Sequence, residues 1–190
     1  GETVVIRNMG NLITFNPTLV SDGASDQARN LLWPALVNSD SFTGEMIPSF
    51  QTWEASADGL TYTFHIDENA NWSDGVPFSS TDVKFLIEVI QSDIDTAREP
   101  SVSSIEAVNI IDEKTYEIIL NGIDCAFLSN LGQLRLLPAH KYAADFSDFE
   151  TSDFNMNPDI SGGPYILDEW APDEYQSYHA NPDYWGGAPD

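Results

Sequence analysis

The 190-residue sequence is poor in cysteine and in basic residues. Cys125 is the single cysteine, so the chain cannot form an internal disulfide or a thiolate metal cluster. Seven lysines and arginines stand against 31 acidic residues, giving a formal net charge of −24 at pH 7. This charge argues against nucleic acid and anionic membrane surfaces as partners, since both attract basic proteins. It is typical of an extracellular or salt-adapted protein, and equally of an acidic surface that only keeps a protein in solution. We expect Cys125 to be buried and unreactive.

Long apolar runs and the common catalytic motifs are missing as well. No apolar run reaches the about 18 residues that a membrane-spanning helix needs. The chain has no nucleophile-elbow motif, phosphate-binding loop or dinucleotide fingerprint. Its histidines lack the spacing of a helical metal site; they are His65, His140 and His179. The sequence therefore indicates no catalytic residue, no metal ligand and no cofactor.

One segment has the oxygen-rich alternation of a calcium loop, Asp67-x-Asn69-x-Asn71. A calcium loop needs glycine at its sixth position and a bidentate glutamate at its twelfth. Trp72 and Phe78 occupy those positions here. We therefore interpret residues 67–71 as a turn.

The composition is otherwise that of a folded globule, with 42% hydrophobic residues and five tryptophans. By length the chain is one domain or a pair of small ones. Its most informative stretch is 53–85. Ala57-Asp58-Gly59 predicts a turn, and the alternation from Leu60 to Ile66 predicts a strand with one buried face.

A capped helix follows this strand. Ser79 and Asp82 have the spacing of a capping box, in which the hydroxyl and the acid each accept a hydrogen bond from a free backbone N–H. Apolar residues then recur every three or four positions, which predicts one helix face in a core. They are Val83, Leu86, Ile87, Ile90 and Ile94.

The remaining pattern predicts an alternation of strands, helices and loops. We expect strands at 3–7, 105–111, 115–120, 134–138 and from Tyr165 towards Trp170, with 105–120 forming a hairpin. We expect helices at 25–37, kinked or shortened at Pro34, and at 125–131. Residues 8–17 and 144–158 are predicted loops.

Several of these segments resemble the family 5 extracellular solute-binding proteins, the receptors of ABC importers for dipeptides, oligopeptides and nickel. The resemblance begins at Trp53 and the T-Y-x-F strand, and continues through the W-x-D-G-x-P-F turn and a helix opening with D-V-x-F. It returns in the G-P-Y-x-L segment and in N-x-x-Y-W-x-G-x-P near the end. These motifs occupy residues 61–64, 72–78, 82–85, 163–167 and 181–189.

The resemblance implies an α/β fold, the N-terminal lobe of a periplasmic-binding-protein-like (type II) receptor, with mixed sheets, packed helices and the second lobe absent. Residues 1–37 would be the first part of the core subdomain. Residues 38–150 would be an inserted subdomain, and residues 151–190 the second part of the core.

The resemblance also implies a non-enzymatic function. The protein would be the substrate-binding component of an ABC importer, capturing peptides outside the cytoplasmic membrane and delivering them to the permease subunits. It would be a monomer in the periplasm or outside the cell, either free or tethered as a lipoprotein in its full-length form. Two alternatives stay open: a secreted hydrolase or carbohydrate-active domain using two acids, and nickel or sugar binding on the same fold.

Candidate ligand-binding residues lie after the first strand, and just before or within the predicted strand at 134–138. They are Met9, Asn11, Phe15, Gln133 and Arg135. Arg135 is one of four arginines, and its guanidinium could bind an anionic ligand group with two parallel hydrogen bonds. A structural salt bridge with one of the many acids is an equally open interpretation.

Overall fold

The structure, a computed structural model, describes residues 4–5, 12–20, 22–172 and 174–189. Within them the strands are β1 (Val4–Val5), β2 (Asn38–Ser39), β3 (Met46–Ile47), β4 (Gln51–Ala55), β5 (Thr61–Ile66), β6 (Ile105–Ile110), β7 (Thr115–Leu120), β8 (Tyr165–Ala171) and β9 (Tyr175–Ala180). The α-helices are α1 (Gly23–Leu32), α2 (Ser80–Gln91) and α3 (Phe127–Leu131). Single 3₁₀ turns occupy Glu99–Val102, Ala139–Lys141 and Asp153–Asn155.

The largest sheet has four antiparallel strands in the order β4-β5-β7-β6. Phe64 of β5 lies opposite Tyr116 of β7, and their rings stack with centroids 5.0 Å apart. Both residues are fully buried, as is Ile118 two positions further along β7. The alternating strand and the hairpin predicted from the sequence are thus confirmed, with the large apolar side chains on the face that enters the core.

Helix α2 begins as the capping-box spacing predicts. The backbone N–H of Asp82 donates to the Ser79 hydroxyl, and the backbone N–H of Ser79 donates to the Asp82 carboxylate at 2.9 Å. The expected stripe is buried at Val83, Leu86, Ile87 and Ile90. Ile94 lies beyond the end of the helix, which closes at Gln91.

A second, three-stranded sheet joins distant parts of the chain in the order β1-β9-β8. Val4 of β1 lies opposite Tyr178 of β9 in an antiparallel pair. The strand prediction at 3–7 is met at Val4–Val5, and its other residues lie outside the described ones. The boundaries at residues 37 and 150 stay predictions.

Helix α1 is shortened before Pro34 as predicted: it stops at Leu32, because the residue before a proline is pushed away from helical geometry and Pro34 cannot continue the helix. Two other local expectations need correction. Residues 134–138 form no strand, and Arg135 makes only a single bridge to Ala35. Cys125 is exposed and not buried, since it lies in the turn before α3 while Phe127 takes the core position.

The predicted G-P-Y segment packs directly against the end of α1. The backbone N–H groups of Gly162 and Gly163 both donate to the carbonyl of Leu32, at 3.0 and 2.8 Å. Trp72 is buried beside them, and its ring centroid lies 4.6 Å from that of Phe78. None of the helices in the described part of the chain is long and apolar enough to cross a membrane.

Candidate functional site

The loop before α1 is held at its base by a buried amide network. We call residues 12–20 the anchored loop. The side-chain amide of Asn16 donates to Asn155 Oδ1 at 2.9 Å, and the Tyr142 hydroxyl donates to the same oxygen at 2.9 Å. The Phe15 N–H and the Thr14 hydroxyl both donate to the Asn155 carbonyl. One asparagine thus orders a loop that lies about 140 residues earlier in the chain.

The far end of the anchored loop is held by the segment that follows α2. The Ala97 N–H donates to the Thr18 carbonyl at 3.0 Å. Arg98 donates from Nε to the Pro17 carbonyl at 3.1 Å and from Nη2 to the Val20 carbonyl at 3.3 Å. The anchored loop has no helix or strand, yet hydrogen bonds fix it at both ends. A binding surface that is already fixed loses less conformational entropy when a ligand binds.

Positive charge is concentrated beside this loop. Arg29 Nε lies 3.2 Å and Arg98 Nη2 lies 3.6 Å from Asp26 Oδ1, so two guanidinium groups share one carboxylate. The positive charges of Arg29 and Arg98 lie close enough to Arg135 to lower its pKa. We call Arg29, Arg98 and Arg135 the arginine cluster. It holds three of the seven basic residues of the chain.

The guanidinium groups of the arginine cluster are partly buried and repel one another. Burial, and after it the neighbouring positive charges of Arg29 and Arg98, lower the pKa of Arg135 to about 10, while the charge of Asp26 opposes this shift. Burial and the charge of Arg29 also lower the pKa of Arg98. Arg29 is 8% exposed, and its Nη1 has no hydrogen-bond partner. Like charges held together out of water favour an anion nearby.

Arg135 lies at one side of a small polar cavity. Its Nη1 donates to the carbonyls of Gly132 and Leu134, at 2.8 and 3.2 Å, and its Nη2 donates to Asn30 Oδ1 at 2.9 Å. We call the adjoining space of about 190 Å³ the Arg135 cavity. The polar side chains that line it belong to Asn38, Ser39, Ser129, Gln133 and Arg135.

The structure brings together some of the residues predicted to bind ligand and separates others. Gln133 and Arg135 line the same cavity. Phe15 is 1% exposed and packs edge-on against Trp170, with centroids 5.6 Å apart, so its ring supports the anchored loop from within the core. Met9 and Asn11 lie outside the described residues, immediately before the anchored loop.

Sequence reasoning missed Asp26, Arg29 and Arg98. Nothing local marks them, because Arg98 follows Asp26 by 72 positions and only folding places them together. The one available signal is scarcity: with four arginines among so many acids, each arginine is a candidate for a specific role.

The described residues contain no group of three or more histidine, cysteine and acidic side chains placed to hold a metal ion. Two of the three histidines pair with single carboxylates. His140 Nε2 lies 3.0 Å from Asp74, and His179 Nδ1 lies 2.6 Å from Asp168.

Comparisons with known proteins bear on the chain as a whole. The family model for bacterial extracellular solute-binding proteins, family 5 Middle, matches residues 49–190. The dipeptide-binding protein of Escherichia coli (strain K12) is 28% identical over 210 residues, covering 99% of this chain and 39% of that protein.

Two solved structures extend the likeness. The oligopeptide-binding protein AppA from Bacillus subtilis, in complex with a nonapeptide, has a TM-score of 0.87 at 25% identity, over 96% of this chain and 37% of AppA. NikZ from Campylobacter jejuni, in complex with Ni(L-His), has a TM-score of 0.82 at 30% identity, over 93% of this chain and 35% of NikZ. The chain spans a little over a third of the length of these relatives. It belongs to the bacterial extracellular solute-binding proteins of family 5.

Proposed function

We propose that the protein is the substrate-binding component of an ABC importer that captures peptides outside the cytoplasmic membrane and delivers them to the permease. The observation that carries this proposal is the match to AppA, a protein solved with a bound nonapeptide, over almost the whole chain. The likeness to the dipeptide-binding protein of E. coli supports the same substrate class. Family membership favours binding over hydrolysis, so the hydrolase alternative is not retained.

The proposed mechanism is closure of two lobes around the solute, with this chain as one lobe. Solute would shift a hinge equilibrium only by as much as it binds the closed state more tightly than the open state. The closed complex would then be presented to the permease subunits. We place the protein in the periplasm or outside the cell, as a monomer, with a lipoprotein tether as its means of retention in the full-length form.

The proposed solute contacts are Met9 and Asn11, just before the anchored loop, together with Gln133 and Arg135; Phe15, predicted as a contact, is buried against Trp170 and supports the loop instead. The hydrogen bonds that Asn155 accepts from the anchored loop and that Arg98 donates to it support this choice, because they hold the backbone of the loop in one conformation before solute arrives. Backbone-directed hydrogen bonds and bridging water would accept peptides of varied sequence.

A nickel chelate is the second candidate. NikZ, which was solved with Ni(L-His), is 30% identical to this chain at a TM-score of 0.82. Because the described residues hold no three-ligand metal group, this candidate needs a chelator that brings its own ligands, as histidine does in that complex.

Ligand-induced stabilisation of the natural gene product tests the proposal. Its thermal unfolding is followed with pools of di- to pentapeptides, with sugars, and with nickel in the presence of L-histidine. Peptide at a hundredfold excess over its Kd should stabilise by about 2.7 kcal/mol, which shifts Tm by several degrees. The control compares peptides of one fixed composition that have free termini with the same peptides after both termini are blocked. A shift with nickel-histidine alone supports the second candidate, and no shift with any pool contradicts both.

A further inference from the structure

We infer that the folded chain depends on molar concentrations of a monovalent salt, whose hydrated cations gather on its carboxylate surface. The net charge of −24 leaves this open, because an acidic surface can also serve only to keep a protein in solution. The fold decides between the two by where it places each sign of charge. Salt dependence of this kind goes beyond the proposed function and does not rest on it.

Positive charge is withdrawn from the surface. The described lysines and arginines are all buried or half-buried, and they are Arg29, Lys84, Arg98, Lys114, Arg135 and Lys141. Arg98 and Arg135 donate hydrogen bonds to backbone carbonyls. Lys114 likewise donates to the carbonyls of Asp67 and Phe78, at 3.3 and 2.9 Å. No described lysine or arginine is therefore a fully exposed cation.

Most acidic side chains are exposed by contrast, and few have a cationic partner. Of the exposed acids in the described part of the chain, Glu88 and Asp159 pair with a described lysine, and Asp74 and Asp168 pair with a histidine. A surface that serves solubility intersperses both signs, with a net charge of magnitude about 2–8 in a small domain. The separation of charge seen here far exceeds that need.

Folding also gathers exposed acids that are distant in the sequence. The acidic pair at 67–68 follows β5, and the acidic pair at 112–113 lies between β6 and β7. The Ile66 N–H donates to the Lys114 carbonyl at 2.8 Å, so both pairs lie at the same end of the four-stranded sheet. The Lys114 ammonium is bonded to carbonyl oxygens and forms no ion pair with a described acid. Four carboxylates thus share one end of the sheet with a single lysine.

A cavity of about 570 Å³ beyond the end of α2 is lined by charge of one sign. Its charged lining residues are Asp93, Asp95 and Glu99, all exposed. Neither here nor elsewhere do the described residues place three acidic, histidine or cysteine side chains to hold one metal ion. The carboxylates therefore suit many loosely held, hydrated monovalent cations better than one chelated divalent ion.

Compaction is costly for such a surface. Folding brings like charges together, and their repulsion destabilises the compact state. The Debye length is about 10 Å at 0.1 M salt and about 3 Å at 1 M, so neighbouring exposed carboxylates repel strongly only at low salt. Cations that gather more densely on the folded than on the unfolded chain also stabilise it by mass action. The stability should therefore keep rising into the molar range of salt.

Thermal unfolding of the natural gene product in KCl, followed by tryptophan fluorescence, tests this inference. We expect Tm to rise by about 10 °C or more between about 0.1 M and about 2 M KCl, because the repulsion is screened. Adding about 5 mM CaCl₂ at the lower KCl concentration should leave Tm nearly unchanged, although it would saturate a typical extracellular calcium site.

Two matched variants assign the effect to the carboxylates of this chain. The amide variant carries Glu68→Gln, Asp93→Asn, Asp95→Asn and Glu113→Gln, all at exposed positions. The acid-exchanged control carries Glu68→Asp, Asp93→Glu, Asp95→Glu and Glu113→Asp, which keep the charge. We expect the amide variant to have the higher Tm at low KCl and the smaller rise with KCl, while the control follows the wild type. If the amide variant fails to fold, Glu68→Gln with Glu113→Gln replaces it, against its own acid-exchanged control.

Three results would overturn the inference. The Tm of the wild type could stay level or fall as KCl increases. All three proteins could gain equally from KCl, which would indicate a general effect of salt on apolar surface. Millimolar CaCl₂ could match the effect of molar KCl, which would indicate a chelating site. No peptide is present in these measurements, so salt dependence and the proposed function can fail separately.

Discussion

At the scale of single residues, Gly163 lies where the backbone at the end of α1 leaves no room for a side chain. A Cβ there would come within 2.3 Å of the Leu31 carbonyl oxygen and 2.8 Å of the Leu32 carbonyl carbon. The obstacle is backbone, so it cannot move aside as a flexible side chain would. The glycine in the G-P-Y segment is thus explained by close packing, whatever its role in binding.

Gly163→Ala should destabilise the chain by about 1–3 kcal/mol or more, because the added methyl group separates two backbone segments that are hydrogen-bonded to each other. Gly122→Ala is the matched control, since a Cβ at Gly122 meets nothing within 4 Å, and it should change stability by less than about 0.5 kcal/mol. Urea unfolding measures both. If both substitutions lower the free energy of unfolding equally, residue 163 is not tightly packed against the end of α1.

At the scale of elements, the start of α2 depends on local hydrogen bonds that a single substitution can remove. Ser79→Ala should lower the free energy of unfolding by about 1 kcal/mol, because the Asp82 N–H loses its side-chain acceptor. Thr81→Ala, two positions later and exposed, should have little effect. The comparison is made by urea unfolding, and a loss at Thr81 as large as that at Ser79 would contradict the assigned cap.

The anchored loop depends instead on contacts between distant elements. Asn155→Ala should cost about 2–5 kcal/mol, because the buried Asn16 amide and Tyr142 hydroxyl both lose their acceptor. Asn121→Ala, which removes one exposed side-chain bond to Ser103, should cost far less. Hydrogen exchange should show faster exchange at the Phe15 and Asn16 amides in Asn155→Ala only. Unchanged protection there would mean that the loop is held by other contacts.

At the scale of the whole molecule, the buried tyrosines link folding to alkaline pH. Burial raises the pKa of Tyr116, Tyr142 and Tyr178 above the ordinary value of 10.0. The unfolded chain therefore releases these protons first, so stability is fully present below about pH 10 and is lost as the pH rises further.

Tyrosinate absorbance during an alkaline titration should therefore rise in two stages. The three buried tyrosines should ionise only together with the loss of the far-ultraviolet circular dichroism signal. In concentrated urea, all seven tyrosines should titrate near their ordinary pKa of about 10. Complete ionisation near pH 10 with native circular dichroism would contradict the burial of these groups.

Elements whose cause is local were predictable from the sequence. The turn at Asp58-Gly59 follows from glycine at a φ of 71°, and the cap of α2 from two residues three positions apart. Strand β9 was not predicted, because its inward positions include the polar Gln176 and so lack apolar alternation. Gln176 accepts a hydrogen bond from Tyr178, a partner that the alternation pattern does not reveal.

The features of the candidate site also divide into those with a local cause in the sequence and those that depend on the fold. The sequence by itself determined the family, the hairpin and the capped helix, since each depends on residue types at short spacing, whereas Gln133 and Arg135 stay predicted ligand contacts. Only the tertiary structure decided that Cys125 is exposed, that Asn155 holds the anchored loop, and that Arg29 and Arg98 meet at Asp26 with Arg135 near enough for their charges to lower its pKa. The physical reason is range: propensity and turn chemistry act within a few residues, whereas burial and charge depend on whatever the fold brings into contact.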